Sequence, residues 1–350
     1  MLDALGEPLA MALVGALGGF LLGLAARIGR FCTMGSIEDA IYGDDTRRLR
    51  MWGVALGVAI IGTFGASALG WADLPSAIYL SFAWNPLASI LGGLVFGYGM
   101  ALAGNCGFGA LARVGGGDFR SFVIVLVMGL SAYAILSGPL AYARSSLFPV
   151  PLADSTPGIA HAIGSATGLP VVLVGCLIGA GLIALALGDR AFRAAPKMQF
   201  WGAVVGVAIV SGWIGTSWVA ANGFEDMAVV SHTFAVPLGE SMMYLMTASA
   251  RPLSFGVGSV AGVLAGAFVG SLFKGHFRWE ACEDPRELRR QIIGAALMGA
   301  GAVVAFGCSV GQGLSAFSVL AYSAPVTIAA IFAGAALGLR QLISGFLPAE

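Results

Sequence analysis

Three of the five cysteines stand in settings that could bind a soft anion. In Gly104-Asn105-Cys106-Gly107-Phe108-Gly109 and in Phe306-Gly307-Cys308-Ser309-Val310-Gly311, an apolar run ends on a cysteine and a glycine follows three residues later. Gly97 and Gly99 precede Cys106 by nine and seven residues, and Gly299 and Gly301 precede Cys308 by the same distances. A related stretch, Gly29-Arg30-Phe31-Cys32-Thr33-Met34-Gly35, closes the first hydrophobic run. A cysteine at a helix start faces backbone N–H groups and the positive end of the helix dipole, which favours an anionic, polarisable partner beside the sulfur. The plainer reading is a small residue needed at a tight turn. Spacing alone does not decide between them, because 53 of the 350 residues are glycine.

The remaining cysteines read differently. Cys176 lies inside an unbroken apolar run and fills core as a small hydrophobe. Cys282 lies in a charged connection, Trp279-Glu280-Ala281-Cys282-Glu283-Asp284-Pro285, and reads as an exposed bystander. Thr33, Asn105, Ser309, Gln312 and Ser315 can supply hydrogen bonds near the three thiols without a charge that must be desolvated. Gly35, Gly107, Gly109, Gly307 and Gly311 belong to the chain breaks themselves. Arg27, Arg30 and Arg113 could draw an anion inwards, although interfacial anchoring is the preferred reading of them. His161, His232 and His276 show no ligand spacing, so no metal site is read. No nucleotide-binding motif is present. No cofactor is expected.

The elements that position these residues follow from composition. Apolar residues make up 58% of the chain and charged residues 10%, with a mean hydropathy of +0.90. A soluble domain carries about 25% charged residues, so lipid must solvate much of this surface. Lys plus Arg and Asp plus Glu each number 18, and zero net charge gives no argument for nucleic acid. The opening stretch Met1–Pro8 has no basic n-region, so no cleavable signal is read there.

About 20 apolar residues cross a bilayer, and nine such runs fall near 8–28, 50–70, 86–105, 120–140, 169–188, 199–221, 253–273, 288–306 and 324–343. Sixteen of the 18 Lys and Arg lie at alternate ends of these runs; Arg144 and Arg251 are the exceptions. The positive-inside rule then puts the N-terminus in the periplasm and the C-terminus in the cytoplasm. The cysteine stretches close runs three and eight, which travel in opposite directions. That pattern predicts an inverted-topology repeat. The expected architecture is an all-α polytopic membrane protein, one transmembrane domain over 1–350. A first repeat covers 1–140, a linker with the fifth run covers 141–198, and an inverted second repeat covers 199–343, around a central constricted pore. Phe31–Tyr42, Gly107–Val114, Pro237–Ala248 and Ser309–Ala316 read as short re-entrant helices, since non-helical backbone at membrane depth needs protein or a watery cavity around it. The second half has no evident counterpart of Cys32; the region 224–247 is where one would lie.

The three cysteine stretches resemble the YeeE/YedE sulfur-transport family of bacterial inner-membrane proteins, and the likeness extends over nearly the whole chain. The resemblance implies uptake of thiosulfate from the periplasm, with Cys32, Cys106 and Cys308 passing the anion along by S–H···S contacts. It also implies a small cytoplasmic sulfur-carrier protein as partner. Family members linked to other sulfur or selenium species leave the substrate open. Two other classes stand beside transport. A membrane thiol oxidoreductase would want paired cysteines, usually CxxC, whereas these three are far apart. A non-catalytic membrane scaffold would not need interrupted helices.

Overall fold

The computed structural model describes residues 6–225, 227–280 and 284–345; Cys282 and Met1–Leu5 lie outside them. Long helices α1 (Glu7–Arg27), α3 (Arg47–Ala68), α5 (Pro86–Ala103) and α7 (Phe119–Leu136) alternate with short pieces α2 (Thr33–Tyr42), α4 (Ile78–Ser81) and α6 (Gly107–Val114). A connecting region follows, with α8 (Ala141–Leu147), α9 (Ile159–Thr167), α10 (Val171–Leu187) and α11 (Arg190–Arg193). The second half holds α12 (Pro196–Asn222), α13 (Val236–Thr247), α14 (Phe255–Lys274), α15 (Pro285–Val304), a π-helical turn Gly311–Ala316 and α16 (Ser323–Ser344). Only isolated β-bridges occur among the described residues. The protein is an all-α polytopic membrane protein.

Seven helical segments, starting at Glu7, Arg47, Pro86, Phe119, Pro196, Phe255 and Ser323, are long and apolar enough to cross a membrane. The other two apolar runs are helical too. α10 has 17 residues and falls short in length, while α15 opens with Arg286, Glu287, Arg289 and Arg290, which dilute its apolar content. Helix starts are set locally. Asn85 Oδ1 accepts from Ala88 N at 3.1 Å, Ser254 Oγ from Val257 N at 3.2 Å, and Asp118 and Asp284 cap α7 and α15. Proline stands in the first turn of α5, α12 and α15, where its missing N–H costs nothing.

Glycine governs how the long helices pair. Along α1, Gly15, Gly19 and Gly23 face Phe255, Ser259 and Val263 of α14, and Gly258, Gly262 and Gly266 face Ala12, Ala16 and Phe20 in return. A Cβ at any of these six would overlap the facing backbone carbonyl. Residue numbers rise together on both helices, so the pair is parallel. In lipid there is no hydrophobic drive to bring helices together, and this close van der Waals approach supplies it. Parallel pairs of the same kind join α3 to α12 through Gly202 and Gly206, and α5 to α16 through Gly97 and Gly334. α5 meets α15 antiparallel, with Gly92 against Gly301 and Gly99 against Gly294. The remaining main contacts are α1 with α12, α7 with α15, and α3 with α10. The ends of α1, α14, α5 and α16 therefore share one face, which carries the arginine-rich connections; it is called the basic face below.

Candidate functional site

The three cysteine stretches fold into one local structure. Two residues before each cysteine the backbone turns left-handed, with φ of 57° at Arg30, 73° at Gly104 and 58° at Phe306. That residue lies between the end of the preceding long helix and the cysteine. The cysteine then caps the next helix: Gly35 N, Gly109 N and Gly311 N donate to Cys32 Sγ, Cys106 Sγ and Cys308 Sγ at 3.5, 3.3 and 3.4 Å. The glycine three residues on is thus the residue whose amide the thiol accepts. With backbone N–H groups on its lone pairs, the sulfur has its own S–H left to donate elsewhere.

Two of these glycines also keep space open. A Cβ at Gly311 would stand 2.5 Å from Thr233 Oγ1 and 3.0 Å from Tyr79 Oη. One at Gly35 would collide with the guanidinium of Arg48. Gly109 is less crowded, since a Cβ there would meet Asn105 Oδ1 at 3.3 Å and Cys106 Sγ at 3.5 Å.

Cys106 and Cys308 are buried, whereas Cys32 is partly exposed. Cys308 Sγ takes a second amide, Phe234 N, at 3.3 Å and lies 3.6 Å from Thr233 Oγ1. The hydroxyls of Thr33 and Ser309 lie against Cys106, and Thr33 Oγ1 itself donates to Ser309 Oγ at 3.2 Å. A cavity of about 570 Å³ opens away from the basic face and reaches Tyr79, Thr233, Phe306 and Gly307, beside Cys308. A second, of about 360 Å³, opens at the basic face and reaches Cys32, Asn105 and Gly109, beside Cys106. Arg27, Arg30, Arg48, Arg113, Lys274 and His276 line the second cavity, with Glu38 as its one carboxylate among the described residues. Two water-accessible hollows thus approach each other from opposite ends, with buried thiols and hydroxyls between them.

The polar residues singled out from the sequence serve these breaks. Gln312 Nε2 donates to Ala305 O at 3.0 Å and Phe306 O at 3.1 Å, satisfying carbonyls left open where α15 ends, and Ser323 Oγ donates to its Oε1 at 3.1 Å. Asn105, with its amide turned to suit its neighbours, accepts from Arg113 Nε and Nη1 at 3.0 and 2.9 Å and donates to Gly104 O at 3.3 Å. Arg113 is therefore held beside the Cys106 break. Gly107 admits the Met128 side chain, and Gly307, at φ 155°, packs on Gln312. Cys176 packs at the edge of the core and lines neither cavity.

Other parts of the site are not evident from sequence. The third of the four short pieces expected at the breaks, α13, starts at Val236 with Ala235 as its cap, so no thiol stands where α2 has Cys32. Thr233 and Phe234, just before it, hold Cys308 instead. Their loop is anchored by Ser315 Oγ donating to His232 O at 2.6 Å and by His232 Nδ1 against Ser259 Oγ at 2.7 Å. Tyr79 stands edge-on to Trp213 and Phe306. The piece after Cys308 is a π-helical turn over Gly311–Ala316, where the first half has the α-helix Gly107–Val114.

The sequence model of the family described as "Sulphur transport" matches residues 28–337, which contain all three breaks. The chain belongs to this sulphur transport family. Among its relatives, the thiosulfate transporter TsuA of Spirochaeta thermophila is 29% identical over 323 residues, covering 89% of this chain and 93% of that protein. The thiosulfate transporter TsuA of Escherichia coli K12 is 26% identical over 320 residues, 87% of each chain. The family match begins just after α1 and ends within α16, and both relatives cover close to nine-tenths of this chain.

Proposed function

We propose that this chain imports thiosulfate, or a closely related sulfur oxyanion, across the bacterial inner membrane by relay along Cys308, Cys106 and Cys32. The carrying observation is the arrangement of thiols that cap helices between two cavities opening at opposite ends. Each sulfur accepts a backbone amide, so each S–H is free to point at a passing ion. Thiosulfate presents a soft terminal sulfur that a weak S–H donor can meet, and weak sites in series let an ion leave as readily as it enters. A cationic group in the constriction would bind the dianion too firmly. Arg30, Arg113 and the other cations instead line the cavity next to Cys32, where they draw the anion out of the relay. The names of the TsuA relatives support the choice of substrate.

Orientation follows from charge. With the basic face in the cytoplasm, the N-terminus lies in the periplasm and the ion meets Cys308 first. The partly exposed Cys32 then faces the compartment in which a small sulfur-carrier protein would collect the cargo.

The helix pairing supports the inverted repeat, with 1–140 set against 199–343. If α1, α3, α5 and α7 correspond to α12, α14, α15 and α16, the α1–α14 contact mirrors α3–α12, and α5–α16 mirrors α7–α15. The contacts of α1 with α12 and of α5 with α15 then lie on the two-fold axis. α10 falls outside this scheme as the linker helix. All nine long helices cross the membrane in this reading.

Cells unable to make cysteine from sulfate test the proposal directly. Expression of this chain restores growth on thiosulfate and uptake of labelled thiosulfate, and Cys106→Ala removes both. Full uptake by C106A would sink the relay.

A further inference from the structure

The two cavities differ in charge in a way that the import of an anion does not explain. The cytoplasmic one gathers six basic side chains around one carboxylate. The outer one, where the anion enters, is lined by Glu225 and Glu240 against a single cation, Arg144, among the described residues. An entrance that repels its substrate calls for a means of losing that charge.

Glu240 is the group placed to do so. It sits on α13, half-buried, in a cavity whose walls are otherwise mostly apolar, including Leu136, Val236, Pro237, Leu253 and Phe255. Among the described residues its one side-chain hydrogen-bond partner is Ser254, whose Oγ donates to Oε2 at 3.3 Å. Gly256 leaves the space the carboxyl occupies, since a Cβ there would come 2.7 Å from Oε2. No cation lies within 4 Å of it among the described residues. The charged and titratable groups that face it are few. Arg251, in the turn before α14, donates to Tyr133 Oη of α7 at 3.2 Å, and Arg144 of α8 and the exposed Glu225 lie around the same cavity. A carboxylate against apolar walls with one hydroxyl partner is poorly solvated and exchanges its charge for a proton readily.

We propose that Glu240 is a charge-selectivity residue of the outer cavity: ionised it repels a divalent oxyanion, and protonated it leaves the entrance near neutral and admits one. The proposal rests on the reading of this chain as an anion importer. It makes substrate entry depend on external pH through the apparent KM, while the later relay past Cys308 and the maximal rate stay the same. Thiosulfate itself remains a dianion over the range involved, so the dependence belongs to the protein.

The test is influx of labelled thiosulfate into proteoliposomes of phosphatidylethanolamine and phosphatidylglycerol, with the interior pH fixed. The external pH is varied from about 5.5 to about 8. In the parent chain KM rises at least about fivefold towards the alkaline end with little change in kcat. Glu240→Gln holds KM at the low, acid value throughout, a gain at alkaline pH that damage to folding does not produce. Glu240→Asp keeps a carboxyl in the cavity and keeps the pH dependence. A parent KM that does not move with pH, or an E240Q variant with the parent's pH dependence, overturns the proposal. Absence of thiosulfate influx in the parent at every pH would instead overturn the transport reading beneath it.

Discussion

Thr33 and Ser309, separated by 276 residues, are joined by a hydrogen bond of 3.2 Å in which the threonine hydroxyl donates. Each directly follows a capping cysteine, and both hydroxyls lie against the third, Cys106. This bond ties the first chain break to the last and fixes the spacing of their thiols. Thr33→Val keeps the shape and removes the donor. A buried hydrogen bond is worth about 1 kcal/mol, so T33V lowers thermal stability only slightly. Uptake of thiosulfate falls more, by about tenfold, because the two breaks lose their register. Comparing the melting temperature with the initial uptake rate separates the two effects.

Gly311 and Gly109 offer a graded comparison, since both donate an amide to a thiol. At Gly311 a methyl would push against Thr233 Oγ1 at 2.5 Å and Tyr79 Oη at 3.0 Å, closing the space between the cavity that reaches Thr233 and Cys308. At Gly109 the nearest atoms are at 3.3 and 3.5 Å and need little adjustment. Gly311→Ala therefore abolishes uptake and costs about 1–3 kcal/mol of stability from overpacking. Gly109→Ala folds normally and keeps a substantial part of the activity. Equal losses in the two variants would show that the spacing, rather than the opening, matters.

The proposed relay gives Cys308 two functions that chemistry can separate. Its sulfur accepts amides from Gly311 and Phe234, and in the proposed relay its S–H donates to the ion. Cys308→Ser retains an acceptor for both amides, so stability is nearly unchanged, but the hard hydroxyl no longer matches a soft sulfur. Cys308→Ala leaves two buried N–H groups without a partner, at about 1–3 kcal/mol each. Uptake is lost in both variants, and the melting temperature drops in C308A only. A C308S variant that transported at the parent rate would remove the thiol from the mechanism.

Much of this site was legible because its signals are local. A cysteine followed by glycine at the third position marked each helix start, and the thiol–amide bonds to Gly35, Gly109 and Gly311 are the physical content of that spacing. The apolar runs marked the long helices, with α10 and α15 at the margin because one is short and the other begins among charges. What escaped depends on distant parts of the chain. Thr233 and Tyr79 reach Cys308 only through the packing of α13's entry loop and α4, and no pattern around either residue points to a thiol. Arg48 and Lys274 read as ordinary loop charges, yet the fold turns them into the basic cavity beside Cys32. The π-helical turn after Cys308 has no sequence mark, since the chain around Gly311–Ala316 would serve an α-helix equally well.

Arg30 holds a conformation that costs stability for the sake of its charge. Its φ of 57° belongs to the left-handed region, where a non-glycine residue loses about 1 kcal/mol, and its side chain is exposed at the basic cavity. The equivalent position in the second break is glycine, Gly104, at φ 73°, and in the third it is Phe306, whose ring is held edge-on by Tyr79 and Phe82. Arg30 has no such packing. Arg30→Gly accordingly raises stability by up to about 1 kcal/mol, and removes one of the six basic groups lining this cavity, which the proposed relay uses to draw the anion past Cys32. Uptake falls by a few-fold, most visibly at low ionic strength, where surface charge is least screened. Melting temperature and uptake thus move in opposite directions, a result that a purely structural arginine cannot give. Arg30→Lys keeps the charge and the strain, and both readings stay close to the parent.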